Sequence, residues 1–217
     1  MFRITVHGLE HLPERGPVIL AANHQSFCDS LFVPVVIPRR VTYLAKAEYF
    51  DHWHTRAFMS TFGQIPIRRG NGSESIRALN MASELLEQGA VLGLYPEGTR
   101  SRDGKVHRGH AGAARLALLT GAPVVPVGIS GTEFVQPVGS SLLRPFGRIS
   151  IALGEARLLT PSDIAHYGAK KLALRAFTDA VMHDIARLAQ REYEDRYLEM
   201  PGPQSQAVGN VAETRAV

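Results

Sequence analysis

Short apolar runs recur along the chain, and longer stretches of mixed polar and apolar residues separate them. Runs of this length that are rich in Val, Ile and Leu are typical of buried strands. They predict strands at Ile4–His7, Val18–Ala22, Val41–Ala45, Gln64–Ile67, Val91–Tyr95, Val124–Ile129 and Arg148–Leu153. Strands that alternate with helix-length segments predict an α/β fold with a mixed, largely parallel sheet and helices on both faces.

The segments between the strands have the spacing of amphipathic helices. Helices are predicted at Ser26–Val33, Ala47–Phe62, Glu74–Glu87 and Gly112–Leu119, with a long one from Lys170 to Leu198. Thr160-Pro161-Ser162-Asp163 predicts a helix start with the cap on Thr160 and proline at the first helical position. We expect one domain over residues 1–200. Residues 201–217 are polar and small and contain Pro and Gly, so we expect a disordered tail.

The amino-acid composition indicates which kinds of partner and which cellular compartment suit this chain. The 217 residues, 45% of them hydrophobic, suffice for a full core. A formal net charge of +4 favours anionic surfaces or phosphorylated substrates. Most basic residues are arginine, which suits bidentate phosphate contacts or reflects a biased genome composition. The single cysteine, Cys28, excludes an internal disulfide and fits a reducing compartment.

Hydropathy and motif searches exclude several classes of protein. No stretch reaches the roughly 18 apolar residues of a spanning helix, and the first residues do not resemble a signal peptide. We therefore expect a cytoplasmic chain that does not itself cross a membrane. The sequence also lacks a P-loop, G-x-G-x-x-G, G-x-S-x-G and paired Cys-x-x-Cys motifs, which disfavours nucleotide, dinucleotide, serine-hydrolase and structural-zinc functions.

The segment 23–29 follows a predicted strand and has the sequence Asn-His-Gln-Ser-Phe-Cys-Asp. A His and an Asp separated by four residues at the exit of a strand suggest a general base and the carboxylate that orients it. In a regular helix a five-residue step turns by about 500°, so the two side chains would face different directions. They can meet only if His24 lies in the turn before a helix. The capping-box-like Ser-x-x-Asp places the cap at Ser26 and Asp29 in the first turn.

Other interpretations of these residues stay open at this point. Asp29 can be a capping residue only, with His24 a turn histidine bonded to the backbone. Cys28 is adjacent to Asp29, but nucleophilic catalysis would need a second histidine nearby, and this segment has none. The alternating histidines of His52-Trp53-His54 could suggest a metal, yet in an aromatic helix they are more typical of a surface, so we expect no metal site.

Four motifs in a fixed order identify a resemblance. The His-x4-Asp motif of His24 and Asp29 is followed by Gly-Gln-Ile-Pro-Ile-Arg-Arg at 63–69, Tyr-Pro-Glu-Gly-Thr-Arg-Ser at 95–101 and Val-Pro-Val at 125–127. Together they resemble the glycerolipid acyltransferases, the family of lysophosphatidic acid (1-acylglycerol-3-phosphate) and glycerol-3-phosphate acyltransferases, over roughly residues 5–155. Tyr95 stands where phenylalanine is common. The resemblance implies a glycerol-3-phosphate acyltransferase-like fold for the domain.

The resemblance also assigns roles to individual residues. His24 would take the proton of the acceptor hydroxyl, and Asp29 would fix the tautomer of the imidazole. Contacts to the glycerol-phosphate acceptor fall on Arg69, Glu97 and Arg100. Gly98 and Thr99 offer backbone N–H groups and a hydroxyl in a tight turn, which also suits binding of phosphate or of the oxyanion. Guanidinium groups bind phosphate oxygens in pairs, whereas Glu97 is expected to orient Arg100 or a glycerol hydroxyl. Pro126 belongs to the block associated with the acyl-chain region, although the packing of a buried strand edge explains it as well.

The activity implied is transfer of a fatty acyl group from acyl-CoA or acyl carrier protein to 1-acylglycerol 3-phosphate, which gives phosphatidic acid. We expect this chemistry to need neither a cofactor nor a metal. Glycerol 3-phosphate or another lysolipid is the alternative acceptor. A lipid-binding protein without turnover is the alternative of another class, and the intact His24, Asp29, Glu97 and Arg100 argue against it.

A bilayer-partitioning acceptor implies peripheral contact with a membrane surface, and no nucleic-acid partner is expected. Trp53, Phe58 and Phe62 could form that contact or an acyl-entry surface, and core packing is an equally good explanation of them. Several members of the family have hydrophobic or amphipathic helices ahead of this point. Either this protein lacks that anchor or the recorded sequence starts late.

Overall fold

The strands that the sequence predicts are present, and two short strands join them. The computed structural model describes residues 2–61, 63–67, 72–140 and 142–199. The strands are β1 (Phe2–His7), β2 (Val18–Ala22), β3 (Val41–Lys46), β4 (Gln64–Ile67), β5 (Val91–Leu94), β6 (Val106–His107), β7 (Val124–Ser130), β8 (Gly147–Leu153) and β9 (Tyr193–Glu194). The helices are α1 (Asp29–Val36), α2 (Trp53–Thr61), α3 (Gly72–Glu87), α4 (Gly112–Thr120), α5 (Thr132–Val135), α6 (Pro161–Tyr167) and α7 (Lys170–Ala189), and 3-10 turns cover Leu9–His11 and Ala47–Phe50.

Seven of the described strands form one sheet in the order β1-β8-β7-β2-β5-β3-β4. Neighbouring strands are parallel except β7 and β8, which are antiparallel. β1 and β8 therefore run opposite to the other five strands, whose carboxyl ends share one edge of the sheet. β6 and β9 form a separate parallel pair. The predicted mixed, largely parallel sheet is confirmed.

Alternation along β2 divides the core between the two faces of the sheet. All five residues of β2 are buried, and their side chains point alternately to opposite faces. Ile19 and Ala21 pack in a cluster with residues of α3, α4 and α7. Val18, Leu20 and Ala22 pack with residues of α1 and β8. A strand that is buried on both faces explains the uninterrupted apolar run, and its packing fixes where the segment 23–29 begins.

Helix α1 begins at Asp29, so the predicted cap at Ser26 is wrong. Cys28 is the capping position. The Asp29 carboxylate accepts the N–H groups of Gln25 and Ser26 at 2.7 and 2.9 Å, and these bonds hold the backbone there in a turn ahead of the helix. His24 therefore lies in the turn before the helix, as the geometric argument requires.

Two predicted helices are longer than the observed ones. The predicted Ala47–Phe62 helix is divided into the 3-10 turn at Ala47–Phe50 and helix α2. The helix that was predicted to reach Leu198 ends at Ala189, because Gln190 has a left-handed backbone with φ 53°. The chain then forms β9 beside β6.

Pro126 lies inside the sheet, and the prediction of a strand edge is wrong. Its strand, β7, stands between β2 and β8, and the proline is buried. Proline has no N–H to donate, so the β7–β8 ladder ends at the pair of Val127 and Leu153. The Gly154 N–H still donates to the Pro126 carbonyl at 2.9 Å. A role of Pro126 in the acyl-chain region stays a prediction.

The start of α6 follows its sequence pattern. Thr160 and Asp163 form a reciprocal capping box, with Pro161 at the first helical position. Within the described ranges, no helix combines the length and the apolar character needed to cross a membrane. The predicted tail, residues 201–217, lies outside the described residues.

Candidate active site

The candidate catalytic residues lie just past the carboxyl ends of β2 and β5, which are neighbours in the sheet, and β7 lies on the other side of β2. Loops at this edge of a parallel sheet converge, and ligands commonly bind there. The Asn23 side chain fastens the first of these loops: its amide donates to the Ile129 carbonyl at 2.9 Å and accepts the Ile129 N–H at 2.7 Å. These two bonds extend the pairing of β2 with β7 by one side chain and fix the position from which His24 projects.

His24 and Asp29 form a hydrogen-bonded pair, as the spacing predicts. His24 Nδ1 lies 2.9 Å from Asp29 Oδ2, which also accepts the N–H groups of Gln25 and Ser26. The carboxylate is thus the acceptor in three contacts, so the imidazole donates from Nδ1 and has its lone pair on Nε2. Asp29 is fully buried, whereas His24 is partly exposed. The pair can therefore accept a proton from a bound molecule.

A column of aromatic rings supports the imidazole. The His24 ring stacks on Tyr95 with 3.9 Å between centroids and 9° between planes, and Tyr95 stacks on Tyr43 at 5.5 Å and 18°. Tyr43 lies opposite Gly93 in the β3–β5 ladder, and a Cβ at Gly93 would be 2.3 Å from the Tyr43 ring. Burial raises the pKa of both tyrosines, so their hydroxyls stay protonated. The imidazole plane is therefore held in two ways, by stacking on this column and by the hydrogen bond to Asp29.

Glu97 is a buried carboxylate that holds the backbone of His24. Its Oε2 accepts the His24 N–H at 3.0 Å and its Oε1 accepts the His107 N–H at 2.8 Å. The Ser101 N–H donates to the His24 carbonyl at 2.8 Å, so both backbone groups of His24 are bonded to the segment 97–101. Burial raises the pKa of Glu97 from 4.5 to about 7, although the N–H donors of His107 and His24 act in the opposite direction.

These contacts differ from the ones expected for Glu97. Glu97 is expected from the motif to orient Arg100 or a glycerol hydroxyl, but its two oxygens accept the backbone N–H groups of His24 and His107. The side chain is completely buried. The arrangement favours an effect of Glu97 through the backbone of His24.

The rest of the third motif forms a turn beside His24. Gly98 has a left-handed backbone with φ 77°, and its N–H donates to the Tyr95 carbonyl at 3.0 Å. That N–H is therefore engaged in the turn, contrary to the phosphate contact expected for it. Thr99 and Arg100 are half-buried. Arg100 forms no ion pair with any residue that the structure describes, so its guanidinium can bind an anionic group.

Three side chains with roles expected from the sequence lie outside the part of the chain that the structure describes. Arg69, the second expected phosphate ligand, lies outside the described residues, as do Phe62 and the side chain of Phe58. Trp53 is described and is exposed at the start of α2. Their assigned roles stay predictions.

A second His–Asp pair follows the third motif. His107 Nε2 lies 2.9 and 3.1 Å from the two oxygens of Asp103. Asp103 Oδ1 also accepts from the Ser101 hydroxyl and the Lys105 N–H. Partial burial acts to raise the pKa of Asp103, but these donors, His107 first, lower it to about 2. The contact between His107 and Asp103 closes the loop 101–107. The loop ends at the His107 N–H that donates to Glu97.

Cys28 is placed for packing. It is buried, and its Sγ lies 3.6 Å from the side-chain oxygen of Gln136. Burial raises the pKa of the thiol, which disfavours the thiolate that a nucleophile needs. Over the described parts of the chain, no group of three or more His, Cys, Asp or Glu side chains could hold a metal ion.

Sequence reasoning missed the contributions of Asn23, Tyr43 and His107 to this site. Asn23 had a local signal, because a polar residue directly after a fully apolar strand is buried and needs hydrogen-bond partners. Tyr43 gave none, because its ring stacks on Tyr95, which is distant in the sequence. His107 gave none, because its N–H reaches Glu97 only through the path of the loop between them.

Comparisons with known proteins agree with these motifs. The family model described as Acyltransferase matches residues 3–130. A chloroplastic 1-acyl-sn-glycerol-3-phosphate acyltransferase of Arabidopsis thaliana is 31% identical over 153 residues, which cover 70% of this chain and 43% of that protein. A 1-acyl-sn-glycerol-3-phosphate acyltransferase of Bacillus subtilis is 28% identical over 190 residues, which cover 87% of this chain and 89% of that protein. The chain spans less than half the length of its plant and algal relatives.

The fold is also similar to a solved structure. The crystal structure of the 1-acyl-sn-glycerophosphate (LPA) acyltransferase PlsC from Thermotoga maritima has a TM-score of 0.68 to this chain at 26% sequence identity. The match covers 88% of this chain and 74% of that one.

Proposed function

This chain belongs to the acyltransferase family, and on that premise we propose that it transfers a fatty acyl group from an acyl thioester to the free hydroxyl of 1-acylglycerol 3-phosphate. The product is phosphatidic acid. The observation that supports the proposal most directly is the His24–Asp29 pair, whose Nε2 can accept a proton at the edge where the motifs converge. The names of the relatives from A. thaliana and B. subtilis support this choice of acceptor.

The reaction begins with proton transfer from the acceptor hydroxyl. His24 Nε2 takes this proton as the hydroxyl oxygen forms a bond to the thioester carbonyl carbon. Asp29 Oδ2 holds the Nδ1 proton in place and stabilises the positive charge that the imidazole gains. The tetrahedral oxyanion then collapses, the C–S bond breaks, and the leaving thiolate takes the proton from Nε2. The products are an ester and a free thiol, His24 is neutral again, and no acyl-enzyme is formed.

Glu97 acts in this reaction as a positioning residue. It accepts the His24 N–H, and Ser101 donates to the His24 carbonyl, so the peptide groups on both sides of the base are fixed. The stack on Tyr95 fixes the plane of the ring. The base is thus ordered before substrate binds, which lowers the entropic cost of reaching the reactive geometry.

Arg100 binds the phosphate of the acceptor, together with Arg69 from the second motif. Arg100 follows directly on the turn beside His24 and is half-buried, which suits a charge-assisted contact that is partly shielded from water. Acyl-CoA or acyl carrier protein is the donor, and no further cofactor is required. The acceptor and product both partition into a bilayer, so the protein works in peripheral contact with a membrane surface.

The test is identification of the product. Purified protein is incubated with radiolabelled acyl-CoA or acyl carrier protein and with 1-acylglycerol 3-phosphate, glycerol 3-phosphate or other lysolipids. Labelled phosphatidic acid is the expected product. If glycerol 3-phosphate or another lysolipid is acylated in preference, that compound is the acceptor and 1-acylglycerol 3-phosphate is not. Lipid binding without turnover on any acceptor would overturn the enzymatic function.

Arg100→Ala is expected to raise KM for the phosphorylated acceptor by roughly 10- to 100-fold, because a hydrogen bond to a charged group contributes about 1.5–3 kcal/mol. The KM for the acyl donor changes less. Arg102→Ala is the matched control, since it removes an exposed arginine two positions away. Equal changes in both KM values, or an equal effect of the control, would place the phosphate elsewhere.

A further inference from the structure

An exposed apolar loop precedes β8. Three of its side chains, Leu142, Leu143 and Phe146, are open to solvent, with 78% of Leu142 and 74% of Phe146 exposed. Phe134 on α5 is exposed as well. Soluble domains rarely leave several large apolar side chains open so close together, and such patches mark interaction surfaces. We refer to residues 142–146 as the apolar loop.

The apolar loop lies at the same edge of the sheet as His24. Strands β7 and β8 are antiparallel, with Ser150 opposite Ser130 near the carboxyl end of β7. The start of β8 at Gly147 therefore extends beyond the carboxyl end of β7, and the apolar loop comes directly before it. The opposite end of β8 points away from this edge.

Hydrogen bonds connect the apolar loop to the turn that contains the catalytic pair. The Arg144 N–H donates to the Val135 carbonyl at 2.9 Å, which fastens the loop to α5. The next residue, Gln136, accepts a hydrogen bond from the Ser26 hydroxyl at 2.9 Å through its main-chain carbonyl. The loop is thus held beside the segment 23–29.

The charge of this region is positive. Arg144 and Arg148 are both exposed, and the segment 134–154 contains no Asp or Glu. The preceding acid, Glu133, is paired with Arg191. Apolar side chains next to unopposed arginines suit a surface that combines hydrocarbon with negative charge, which is the chemistry of an anionic lipid bilayer.

We propose that the apolar loop, with Phe134, Arg144 and Arg148, inserts into the headgroup region of an anionic bilayer and holds the active site at its surface. The proposal rests on the proposed function, because a bilayer-partitioning acceptor explains why the loop flanks the catalytic edge. Trp53 provides a second apolar contact, since it follows the carboxyl end of β3. β3 and β8 are four positions apart in the sheet, roughly 19 Å, so the two contacts flank the site.

Vesicle sedimentation tests the proposal without depending on turnover. Wild-type protein is expected to sediment with vesicles of phosphatidylcholine and phosphatidylglycerol, and less with phosphatidylcholine alone. Leu142→Ser/Phe146→Ser should weaken this binding by at least about tenfold, because two inserted apolar side chains are lost. The matched control is Leu158→Ser/Leu172→Ser, which removes two leucines that are 62% and 57% exposed. Leu158 lies beyond the opposite end of β8, and the control should bind like wild type.

The arginines supply a separate measurement. Arg144→Gln and Arg148→Gln should each weaken binding to anionic vesicles by about fivefold at low salt, and the difference should shrink as salt is added. Circular dichroism and the melting temperature show that each variant is folded. We call Leu142→Ser/Phe146→Ser the loop variant. If the wild type does not bind vesicles, or if the loop variant and its leucine control lose vesicle binding equally, the proposal is overturned. Loop-dependent self-association on gel filtration without vesicle binding would assign the surface to a second copy of the chain.

Turnover separates this proposal from the proposed function. On a water-soluble short-chain 1-acylglycerol 3-phosphate, the loop variant should retain wild-type kcat, and on a long-chain acceptor embedded in vesicles it should lose activity. Vesicle binding with no turnover by the wild type on either acceptor overturns the proposed function and leaves the docking surface standing. Turnover on both acceptors without a loop effect overturns the docking surface alone.

Discussion

The two His–Asp pairs in the part of the chain that the structure describes have the same distance and opposite exposure. The shortest nitrogen–oxygen distance is 2.9 Å in each. His24 is 18% exposed and its partner Asp29 is fully buried, whereas His107 is 1% exposed and its partner Asp103 is 46% exposed. A general base must reach its substrate while its carboxylate stays shielded, so only the first arrangement suits proton transfer. The second buries the ring and closes a loop.

Glu97 joins the two pairs. It accepts the N–H of His24 on one oxygen and the N–H of His107 on the other. The loop that the second pair closes therefore supports the residue that positions the first. A distance between His and Asp does not by itself indicate catalysis. The exposure of the imidazole and the fixed backbone around it distinguish the two pairs.

Replacing each histidine in turn by glutamine should give the largest difference between the two pairs, in both kcat and stability. His24→Gln is expected to lower kcat by about 10²–10⁴, because the general base is lost, with little change in melting temperature. His107→Gln should leave kcat nearly unchanged and lower the free energy of unfolding by about 1–3 kcal/mol, because the buried ring and its hydrogen bond to Asp103 are lost. Steady-state kinetics and denaturant unfolding measure both effects. Comparable kcat losses in the two variants would mean that the second pair also takes part in the chemistry.

Glu97→Gln tests the residue between the pairs. One of the two backbone N–H groups would face an amide NH2 in place of a carboxylate oxygen, and the backbone of His24 would shift. We expect kcat to fall by about 10- to 100-fold with an unchanged KM for the acceptor, since a displacement of a catalytic group costs rate and not binding. Arg100→Ala, measured under the same conditions, should show the opposite result, with a raised KM for the acceptor and a nearly unchanged kcat. A raised acceptor KM with unchanged kcat in Glu97→Gln would return Glu97 to the substrate contact expected from the motif.

The stability of the Glu97 variant should also depend differently on pH. The raised pKa means that folded protein retains a proton that the unfolded chain releases between pH 4.5 and about 7. The stability contributed by this group is therefore full below pH 4.5 and is lost as pH rises through 7, by about 3 kcal/mol. Glu97→Gln removes this loss. Unfolding free energies of both proteins across that window check it, and parallel curves would contradict the raised pKa.

The sequence predicted the sheet and the contact between His24 and Asp29 because both depend on local patterns. Strands such as Val18–Ala22 are continuous apolar runs, and a five-residue step between His24 and Asp29 permits contact only in a turn before a helix. The exact start of that helix was wrong by three residues, because only half of the capping box forms: Asp29 accepts the Ser26 N–H, but the Asp29 N–H donates to the main-chain carbonyl of Ser26 and not to its hydroxyl.

What the sequence could not predict depends on contacts between distant segments. Glu97 and its partner His24 are 73 residues apart, and their bond replaces the local partner Arg100 that the motif suggested. The end of α7 was missed because Gln190 takes a left-handed backbone that favours glycine, and β9 has only two residues. A membrane contact was expected near Trp53 from the sequence, whereas the docking surface that we propose lies mainly in the loop before β8, because of the exposure and charge of that loop.

Asp103→Asn should produce the smallest effect of these substitutions. Its pH dependence should be opposite to that of Glu97, because Asp103 contributes to stability at high pH and not at low pH. The lowered pKa of Asp103 means that its contribution to stability is present above pH 3.8 and is lost as pH falls through about 2. Because the side chain is 46% exposed, solvent screening reduces this contribution to no more than about 1 kcal/mol. Denaturant unfolding at acid pH should therefore give a shallower acid loss for Asp103→Asn than for wild type, with kcat at neutral pH nearly unchanged. Asp51→Asn, which removes an exposed carboxylate outside the pair, should follow the wild-type curve. If Asp103→Asn lowers kcat as strongly as His24→Gln does, the two pairs are one catalytic unit and the division between them by exposure is wrong.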